Sequence, residues 1–328
     1  MKTENLKKLF ILICLVSIFQ AGCQTQSKVR VLKLAHALDI NHPVHRGMVY
    51  MAELVEQKSR GQVCIDIYPS EQLGAERELV ELLQIGSLAM TKVSTSPLEG
   101  FIPEMKVFSI PYIFRDEDHL WKVLKGDIGK RLLSAGEKYY LKGMCYYDAG
   151  SRSFYTKEVP IENPNDLEGL KIRVQKSLTS VKMIQTLGGS ATPISWGELY
   201  TALQQGVVDG AENNPPSFYL SKHYEVCKYY SLDEHTSVPD ILIMSTHVWN
   251  SLTPQEQEWV QAAVDESVDY QRTLWKEGSE HALAEVQKAG VKVIYPDKTP
   301  FQEKVQSMHE SYRGQPVYRI MKEIEAIP

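Results

Sequence analysis

Cysteine is scarce in this sequence, and the common catalytic fingerprints are missing. Five cysteines occur in 328 residues, and those that follow residue 22 show neither CxxC nor Cys/His metal spacing. We therefore expect free thiols at Cys64, Cys145 and Cys227, with Cys64 and Cys145 buried, rather than a disulfide scaffold. The sequence contains no HExxH, GxSxG, P-loop or GxGxxG motif. The enzyme classes that these motifs mark have no support.

An excess of positive charge is also missing. Lys and Arg number 36 against 41 Asp and Glu, which gives a formal net charge of −5 at pH 7. No Lys/Arg-rich run is present, so we expect no nucleic-acid partner. The chain is 43% hydrophobic and 23% charged, as is typical of a globular protein. At this length, two domains are the expectation.

Long apolar runs are confined to the N-terminus. A basic start precedes the apolar run 9–19, and small residues then lead to Cys23. This layout predicts that residues 1–22 are a signal peptide of the lipoprotein type and that Cys23 is lipidated. Gln20 stands where such signals usually carry an aliphatic residue, so a soluble secretory signal is the alternative. No later apolar stretch approaches the length of a membrane span.

Strand and helix patterns alternate along the rest of the chain. Polar and apolar residues alternate over 29–34 and 62–68, whereas 45–58 and 75–85 repeat with helical spacing,. This order predicts an α/β fold with ligand sites at the carboxyl ends of strands. The capping box 253–256 predicts the start of a helix of about six turns. No linker interrupts the pattern, so we expect domains that interleave in sequence.

Three polar clusters allow more than one interpretation. His36, His42 and His45 lie within ten residues of one another, which would suit a metal site, but histidines in a loop before a helix are commoner than ligands. The acidic run 116–119 resembles a calcium cluster, yet acidic residues that open a helix are explained by its dipole. The run 209–216 is rich in Asn, Gly and Pro and predicts a turn.

Two arginines stand out at plausible ligand-facing positions. Within 170–175, apolar residues share one strand face, which places Arg173 on the opposite face near the strand's end. Arg152 follows Gly150-Ser151 at a plausible domain crossing. Considered singly, each arginine is interpreted as a solvated surface cation.

Taken together and in order, several segments resemble a known family. They are 68–74 (YPSEQLG), 111–114 (PYIF), 150–152 (GSR), 167–174 (LEGLKIRV), 199–210 (LYTALQQGVVDG) and 212–213 (EN). Across essentially the whole chain after the signal, the sequence resembles the solute-binding proteins of tripartite ATP-independent periplasmic (TRAP) transporters.

The resemblance implies an α/β periplasmic-binding-protein fold, type II-like, in which two lobes are joined by hinge strands and a long helix. Lobe I would comprise 23–150 plus about 237–278, and lobe II 151–236 plus about 279–328, with the ligand cleft between them. The implied function is binding without covalent chemistry, so we expect no enzyme activity, cofactor or metal.

The resemblance also assigns ligand-binding residues. Arg173 occupies the position of the arginine that pairs with the ligand carboxylate, and Arg152 that of a supporting arginine. Asn213 matches an asparagine that also reaches the carboxylate, and Trp196 matches an aromatic residue that covers the ligand with a face suited to a pyranose. Relatives place further ligand or water contacts at the positions of Glu76, Glu212, His36 and His235.

The doubled Asn213-Asn214 before two prolines resembles the subgroup that takes uronic acids. We therefore add Asn214 to the site and expect a hexuronic acid such as galacturonate or glucuronate. Dicarboxylate and keto-acid binders share most of these motifs and are one alternative. An exported sugar-acid enzyme that uses His36, Glu76 or His235 as acid or base is another. The implied partners are the membrane subunits of a TRAP transporter, with a sensor as the alternative, and the protein is expected to be a lipid-anchored periplasmic or extracytoplasmic monomer.

Overall fold

A computed structural model of the protein describes residues 29–328. The predicted signal peptide 1–22 and the predicted lipidation site Cys23 lie outside the described residues. Within the described range, no helix is both long enough and apolar enough to cross a bilayer.

Strands and helices alternate over most of the described chain. The strands are β1 Arg30–Ala35, β2 Val63–Tyr68, β3 Met90–Ser94, β4 Leu141–Tyr147, β5 Arg152–Thr156, β6 Lys171–Val174, β7 Ser190–Pro193, β8 Gly210–Asn213, β9 Tyr229–Thr236, β10 Asp240–Ser245 and β11 Lys292–Ile294. The α-helices are α1 Pro43–Ser59, α2 Glu76–Gln84, α3 Thr95–Leu98, α4 Glu117–Lys125, α5 Asp127–Ser134, α6 Leu178–Leu187, α7 Leu199–Gln204, α8 Pro215–Leu220, α9 Thr246–Ser251, α10 Pro254–Lys288, α11 Thr299–Glu310 and α12 Pro316–Glu325. Short 3₁₀ helices span Pro103–Ser109, Glu137–Tyr139, Pro164–Leu167, Trp196–Glu198 and His223–Glu225.

The strands form two mixed sheets. The first has the order β2-β1-β3-β10-β4, and the second has the order β11-β9-β5-β8-β6-β7. In the first sheet β1 is parallel to β2 and β3, while β10 is antiparallel to β3 and β4. In the second sheet β6 is parallel to β7 and β8, while β5 is antiparallel to β8 and β9. The predicted α/β class is confirmed.

The chain crosses between the two sheets at three places. It passes from β4 to β5 after Tyr147, from β9 to β10 after Thr236, and along the 35-residue helix α10. The predicted capping box of α10 is confirmed, because the Thr253 hydroxyl accepts from the Glu256 amide and the Glu256 carboxylate accepts from the Thr253 amide. Helix α10 packs along α1 and against α8. It therefore touches elements that belong to both halves.

The last helix packs on the side of the first sheet. Helix α12 contacts α5 and the 3₁₀ helix Pro103–Ser109, and His119 of α4 hydrogen-bonds to the Ile324 carbonyl. The apolar face of α12 packs into the same core as α4, α5 and the 3₁₀ helix Pro103–Ser109. The expected assignment of 279–328 as a block to lobe II therefore does not describe where α12 lies.

Two expectations from local sequence are wrong. The run 209–216 is not a turn, since β8 occupies Gly210–Asn213 and Asn214 caps α8. Pairing of β8 on both edges, with β5 and with β6, overrides the turn propensity of these residues,. Cys64 is only half-buried, because β2 is an edge strand of its sheet. Cys145 and Cys227 are buried, and all three cysteines are free thiols.

Candidate functional site

Polar side chains gather where strands of both sheets end on the same side. Ser94 closes β3, and Asp240 begins the antiparallel strand β10 directly beside it. In the second sheet Asn213 closes β8, and Arg152 begins the antiparallel strand β5 beside it. Arg173 lies near the end of β6, which runs parallel to β8. Strand ends of this kind are where open α/β sheets bind ligands.

Two adjoining cavities occupy this position. One has an empty volume of about 420 Å³ and the other about 340 Å³, each including space open to solvent. The residues that line both are Glu76, Arg173, Gln175 and Trp196. The larger cavity is also lined by Ala37, Leu38, Lys92, Ser94, Ala149, Arg152, Asn213, Asn214, Ser217 and Asp240.

Arg173 is a buried cation in the wall of these cavities. The residue is 2% exposed, so it is not the solvated surface cation of the single-residue interpretation. Its Nε donates to the Ile194 carbonyl at 2.9 Å, whereas its Nη1 has no hydrogen-bond partner among residues 29–328. Burial lowers the pKa of the guanidinium. A buried cation with an unpaired N–H is suited to an anionic group.

Arg152 is held by protein partners, and it is likewise buried rather than solvated. Its Nε and Nη2 donate to the Glu212 carboxylate, and Nη2 also donates to the Glu212 carbonyl at 2.7 Å. Its Nη1 donates to Asn213 Oδ1 at 2.8 Å. A guanidinium carries five N–H groups, so these contacts leave one donor on Nη1.

Asn213 adds a donor of fixed orientation. Its Oδ1 accepts both from Arg152 and from the Asn214 amide, which assigns the oxygen and leaves the Nδ2 amino group as the free donor. Together with the guanidinium of Arg173, these donors line the larger cavity. The arrangement can bind one carboxylate through several N–H groups.

Glu212 and His235 support Arg152 from behind the cavity. Burial raises the pKa of Glu212, but Arg152 and His235 outweigh it and lower the pKa to about 2. For His235, burial lowers the pKa, whereas Asp233 at 2.8 Å and Glu212 at 3.6 Å raise it to about 9. This buried chain of alternating charges holds the Arg152 guanidinium in place.

Trp196 forms another part of the wall. It begins the 3₁₀ helix after β7, and its half-buried ring lies 5.7 Å from the Arg173 guanidinium. The next residue, Gly197, donates its backbone N–H to Glu71 Oε1 at 3.2 Å. Burial raises the pKa of Glu71. This contact joins the segment after β7 to the loop before α2.

The structure separates the nine expected ligand-binding residues into two groups. Six line the cavities: Arg173, Arg152, Asn213, Asn214, Trp196 and Glu76. The other three, His36, Glu212 and His235, are buried and are not among the lining residues.

His36 and His45 form a hydrogen-bonded pair in which His36 is buried and His45 is half-buried. His36 Nε2 lies 2.9 Å from His45 Nδ1, and His36 Nδ1 accepts from the Leu38 amide. His42 caps α1 and lies 3.3 Å from the Ser217 hydroxyl. Burial lowers the pKa of His36 to about 2 and that of His42 to about 3. Over residues 29–328, no three His, Cys, Asp or Glu side chains are grouped as a metal site would require.

Sequence reasoning missed Lys92, Asp240 and Gln175 as lining residues. Lys92 is 2% exposed within a fully buried strand, and Asp240 is 5% exposed at the start of another. A charged residue inside or at the start of an apolar strand is a signal that could have found them, because charged side chains are rarely fully buried without a partner.

The chain matches a known family of binding proteins over most of its length. The model of the bacterial extracellular solute-binding proteins, family 7 (DctP), matches residues 34–315. The chain belongs to this family. Its members include solute-binding proteins of TRAP transporters, so the resemblance noted in the sequence is confirmed.

Solved structures of similar solute-binding proteins hold sugar acids. A TRAP periplasmic solute-binding protein from Xanthobacter autotrophicus Py2 with bound β-D-galacturonate is 38% identical, with a TM-score of 0.87, and the match covers 90% of this chain and all of the other. A second, from Pseudomonas putida F1 with bound D-glucuronate, is 36% identical with a TM-score of 0.87 and coverage of 90% and 97%. These likenesses confirm the predicted fold.

One similar protein has a different ligand class. The C4-dicarboxylate-binding periplasmic protein DctP of Rhodobacter capsulatus is 33% identical over 261 residues, which cover 79% of this chain and 78% of that protein. Similar proteins therefore bind more than one kind of carboxylate. Family membership does not specify the ligand, which has to be inferred from the residues that line the cavity.

Proposed function

We propose that this solute-binding protein captures a hexuronate, such as galacturonate or glucuronate, and delivers it to the membrane subunits of a TRAP transporter. The observation that carries the proposal is Arg173, a buried guanidinium in the cavity wall whose Nη1 has no partner among the described residues. A ligand carboxylate would supply that partner.

The proposed carboxylate contacts come from three side chains. Arg173 offers a planar guanidinium that a lysine does not reproduce. Arg152 retains one N–H after its hydrogen bonds to Glu212 and Asn213, and the Nδ2 amino group of Asn213 retains both of its N–H groups,. Trp196, beside Arg173, would cover one face of the sugar ring,. The bound galacturonate and glucuronate of similar structures support this ligand class.

Capture would proceed by closure of two lobes. They are 23–150 plus about 237–278, with α12 packed against it, and 151–236 plus the part of about 279–328 that precedes α12. Contacts between the halves support this proposal. The side-chain Nδ2 of Asn214 donates to the Ala149 carbonyl at 3.0 Å, and the backbone N–H of Gly197 donates to Glu71. Closure removes water from the cavity, which strengthens charged contacts there. The lobes would open about the two strand crossings and α10.

The proposed cellular setting follows from family membership and the N-terminal sequence. An extracytoplasmic monomer, lipidated at Cys23, would stay at the membrane beside the transporter. Labelling with a radioactive fatty acid should mark the wild-type chain and not Cys23→Ser. If neither protein is labelled, residues 1–22 would be an ordinary secretory signal and Cys23 would carry no lipid.

Dicarboxylate binding is the second candidate function, and the relative from Rhodobacter capsulatus favours it. An exported sugar-acid enzyme has less support. Two of its three proposed acid–base groups, His36 and His235, are not among the cavity-lining residues. Incubation with galacturonate or glucuronate and mass analysis should yield no product.

A thermal-shift screen over hexuronates, dicarboxylates and keto acids tests the proposal. Ligand that binds the folded state stabilises it by about 4 kcal/mol at a thousandfold excess over Kd. We expect galacturonate or glucuronate to raise the Tm, with calorimetry confirming one site per chain. A rise in Tm with succinate or pyruvate and none with a hexuronate would refute the proposed ligand class.

A further inference from the structure

A second group of charges lines the larger cavity together with the arginines. Lys92, Glu76 and Asp240 all line this cavity. Lys92 Nζ lies 3.0 Å from Asp240 Oδ1 and 3.4 Å from Glu76 Oε1. Glu76 Oε1 also accepts from the Ser94 amide at 3.1 Å. We call Lys92, Glu76 and Asp240 the acidic triad.

The acidic triad belongs to the first sheet and the helix that follows its second strand. Lys92 is in β3, Asp240 begins β10, and Glu76 begins α2. Arg152 and Arg173 belong to the second sheet. The two sets of charges therefore approach the cavity from opposite halves of the molecule.

The two sets carry opposite net charge. Two carboxylates surround one ammonium in the acidic triad, so its formal charge is negative. Of the two arginines, Arg152 is neutralised by Glu212, whereas Arg173 has no carboxylate partner within residues 29–328. A ligand in the cavity thus meets the cationic Arg173 from the second sheet and a net negative charge from the first sheet and α2.

Hydroxyl groups fit the acidic triad better than a second carboxylate does. Each hydroxyl can donate to a carboxylate oxygen of Glu76 or Asp240 and accept from Lys92, whose ammonium has a third N–H beyond its two ion pairs. A second carboxylate would face two like charges in a buried site, where repulsion is only weakly screened.

We infer that the acidic triad is the specificity element of this site: it binds the hydroxyls of a sugar acid and rejects the second carboxylate of a dicarboxylate. This inference rests on the proposed function, because it takes the carboxylate to lie at Arg173. It assigns ligand selection to Lys92 and Asp240, two residues outside the set expected from sequence, together with Glu76.

The test separates hydroxyl recognition from carboxylate recognition. Calorimetry compares galacturonate with tetrahydropyran-2-carboxylate, which keeps the ring and the carboxylate but lacks the hydroxyls, and with succinate. For Asp240→Asn and for Glu76→Gln, we expect hexuronate affinity to fall by about ten- to hundredfold, as for loss of a hydrogen bond to a charged group. Affinity for the hydroxyl-free acid should change by less than about threefold.

Misfolding of a variant can explain a loss of affinity but not a gain, so the test includes a variant that is expected to bind succinate more tightly. The double variant Glu76→Gln/Asp240→Asn leaves Lys92 as an unpaired cation, so its succinate affinity should rise by about tenfold or more over wild type. The matched control is Asp269→Asn, which removes the carboxylate of the exposed Lys125–Asp269 ion pair and should alter binding of none of the three acids.

Each outcome has a distinct meaning. Equal losses for galacturonate and the hydroxyl-free acid would overturn the inference while leaving the proposed function intact. So would tight succinate binding by a wild-type protein that also binds hexuronates. Failure of the wild type to bind any hexuronate would overturn the proposed function, and the inference with it.

Discussion

Replacement of Arg173 tests the central contact of the site. Its guanidinium is buried, its Nε is used by the Ile194 carbonyl, and its Nη1 is unpaired within the described chain. In Arg173→Ala, the ligand carboxylate would enter a desolvated wall without its counter-charge. Breaking a buried charge pair in this way costs about 3–5 kcal/mol. That corresponds to about two to three and a half decades in Kd.

Calorimetric titration with galacturonate and with glucuronate measures the loss directly. Arg173→Lys should also bind much more weakly, because an ammonium does not provide two parallel N–H groups for a carboxylate. Arg319→Ala is the control, since that arginine side chain is 86% exposed on α12. Far-ultraviolet circular dichroism and the Tm without ligand establish that each variant is folded.

Two results would refute the reasoning. If Arg173→Ala changes the Kd for galacturonate and glucuronate by less than about fivefold, Arg173 does not contact the ligand carboxylate. Near-wild-type affinity for Arg173→Lys would mean that only the positive charge matters, and not the planar geometry of the guanidinium.

Three further predictions concern closure, the long helix and pH. In Gly197→Ala, the added Cβ atom would clash with Glu71 Oε2, and the flexible Glu71 side chain can move aside by giving up its hydrogen bond to the Gly197 amide. Ligand dissociation, followed by stopped-flow Trp fluorescence, should therefore accelerate by about threefold. Gln271→Leu removes the buried side chain that bonds both the N–H and the carbonyl of Asp148, which should lower the urea-measured free energy of unfolding by about 2–5 kcal/mol. Burial lowers the pKa of His235, but Asp233 and Glu212 raise it to about 9 in the folded protein, against a pKa of about 6.5 in the unfolded chain,. Its stabilising contribution is therefore complete below pH 6.5 and lost as the pH rises through 9, by up to about 3 kcal/mol.

Matched variants check each of these predictions. Gly100→Ala, where an added Cβ meets nothing closer than 3.5 Å, should not change the dissociation rate. Gln255→Leu on the exposed surface of α10 should alter the free energy of unfolding by less than about 0.5 kcal/mol. His235→Gln should remove the alkaline loss of stability. If the variant keeps the same slope between pH 6.5 and 9, the titrating group is another residue.

Local patterns in the sequence were enough for several helices and strands. The alternation over 62–68 predicts β2, and the capping box at Thr253 predicts the start of α10, since both depend on neighbours within a few residues. The run 209–216 misled the same reasoning. Its Asn and Gly residues favour a turn, but β8 is stabilised by partner strands that lie distant in sequence.

Residue types in a fixed order were enough to predict the family and the α/β class, and they also led to the proposal that Arg173, Arg152 and Asn213 recognise a carboxylate. Tertiary structure alone decided that Glu212 and His235 stand behind Arg152 rather than in the cavity. It also decided that Lys92, Glu76 and Asp240 meet there. Their spacing along the chain carries no sign of that meeting, because strand pairing and the packing of α2 bring the three side chains together.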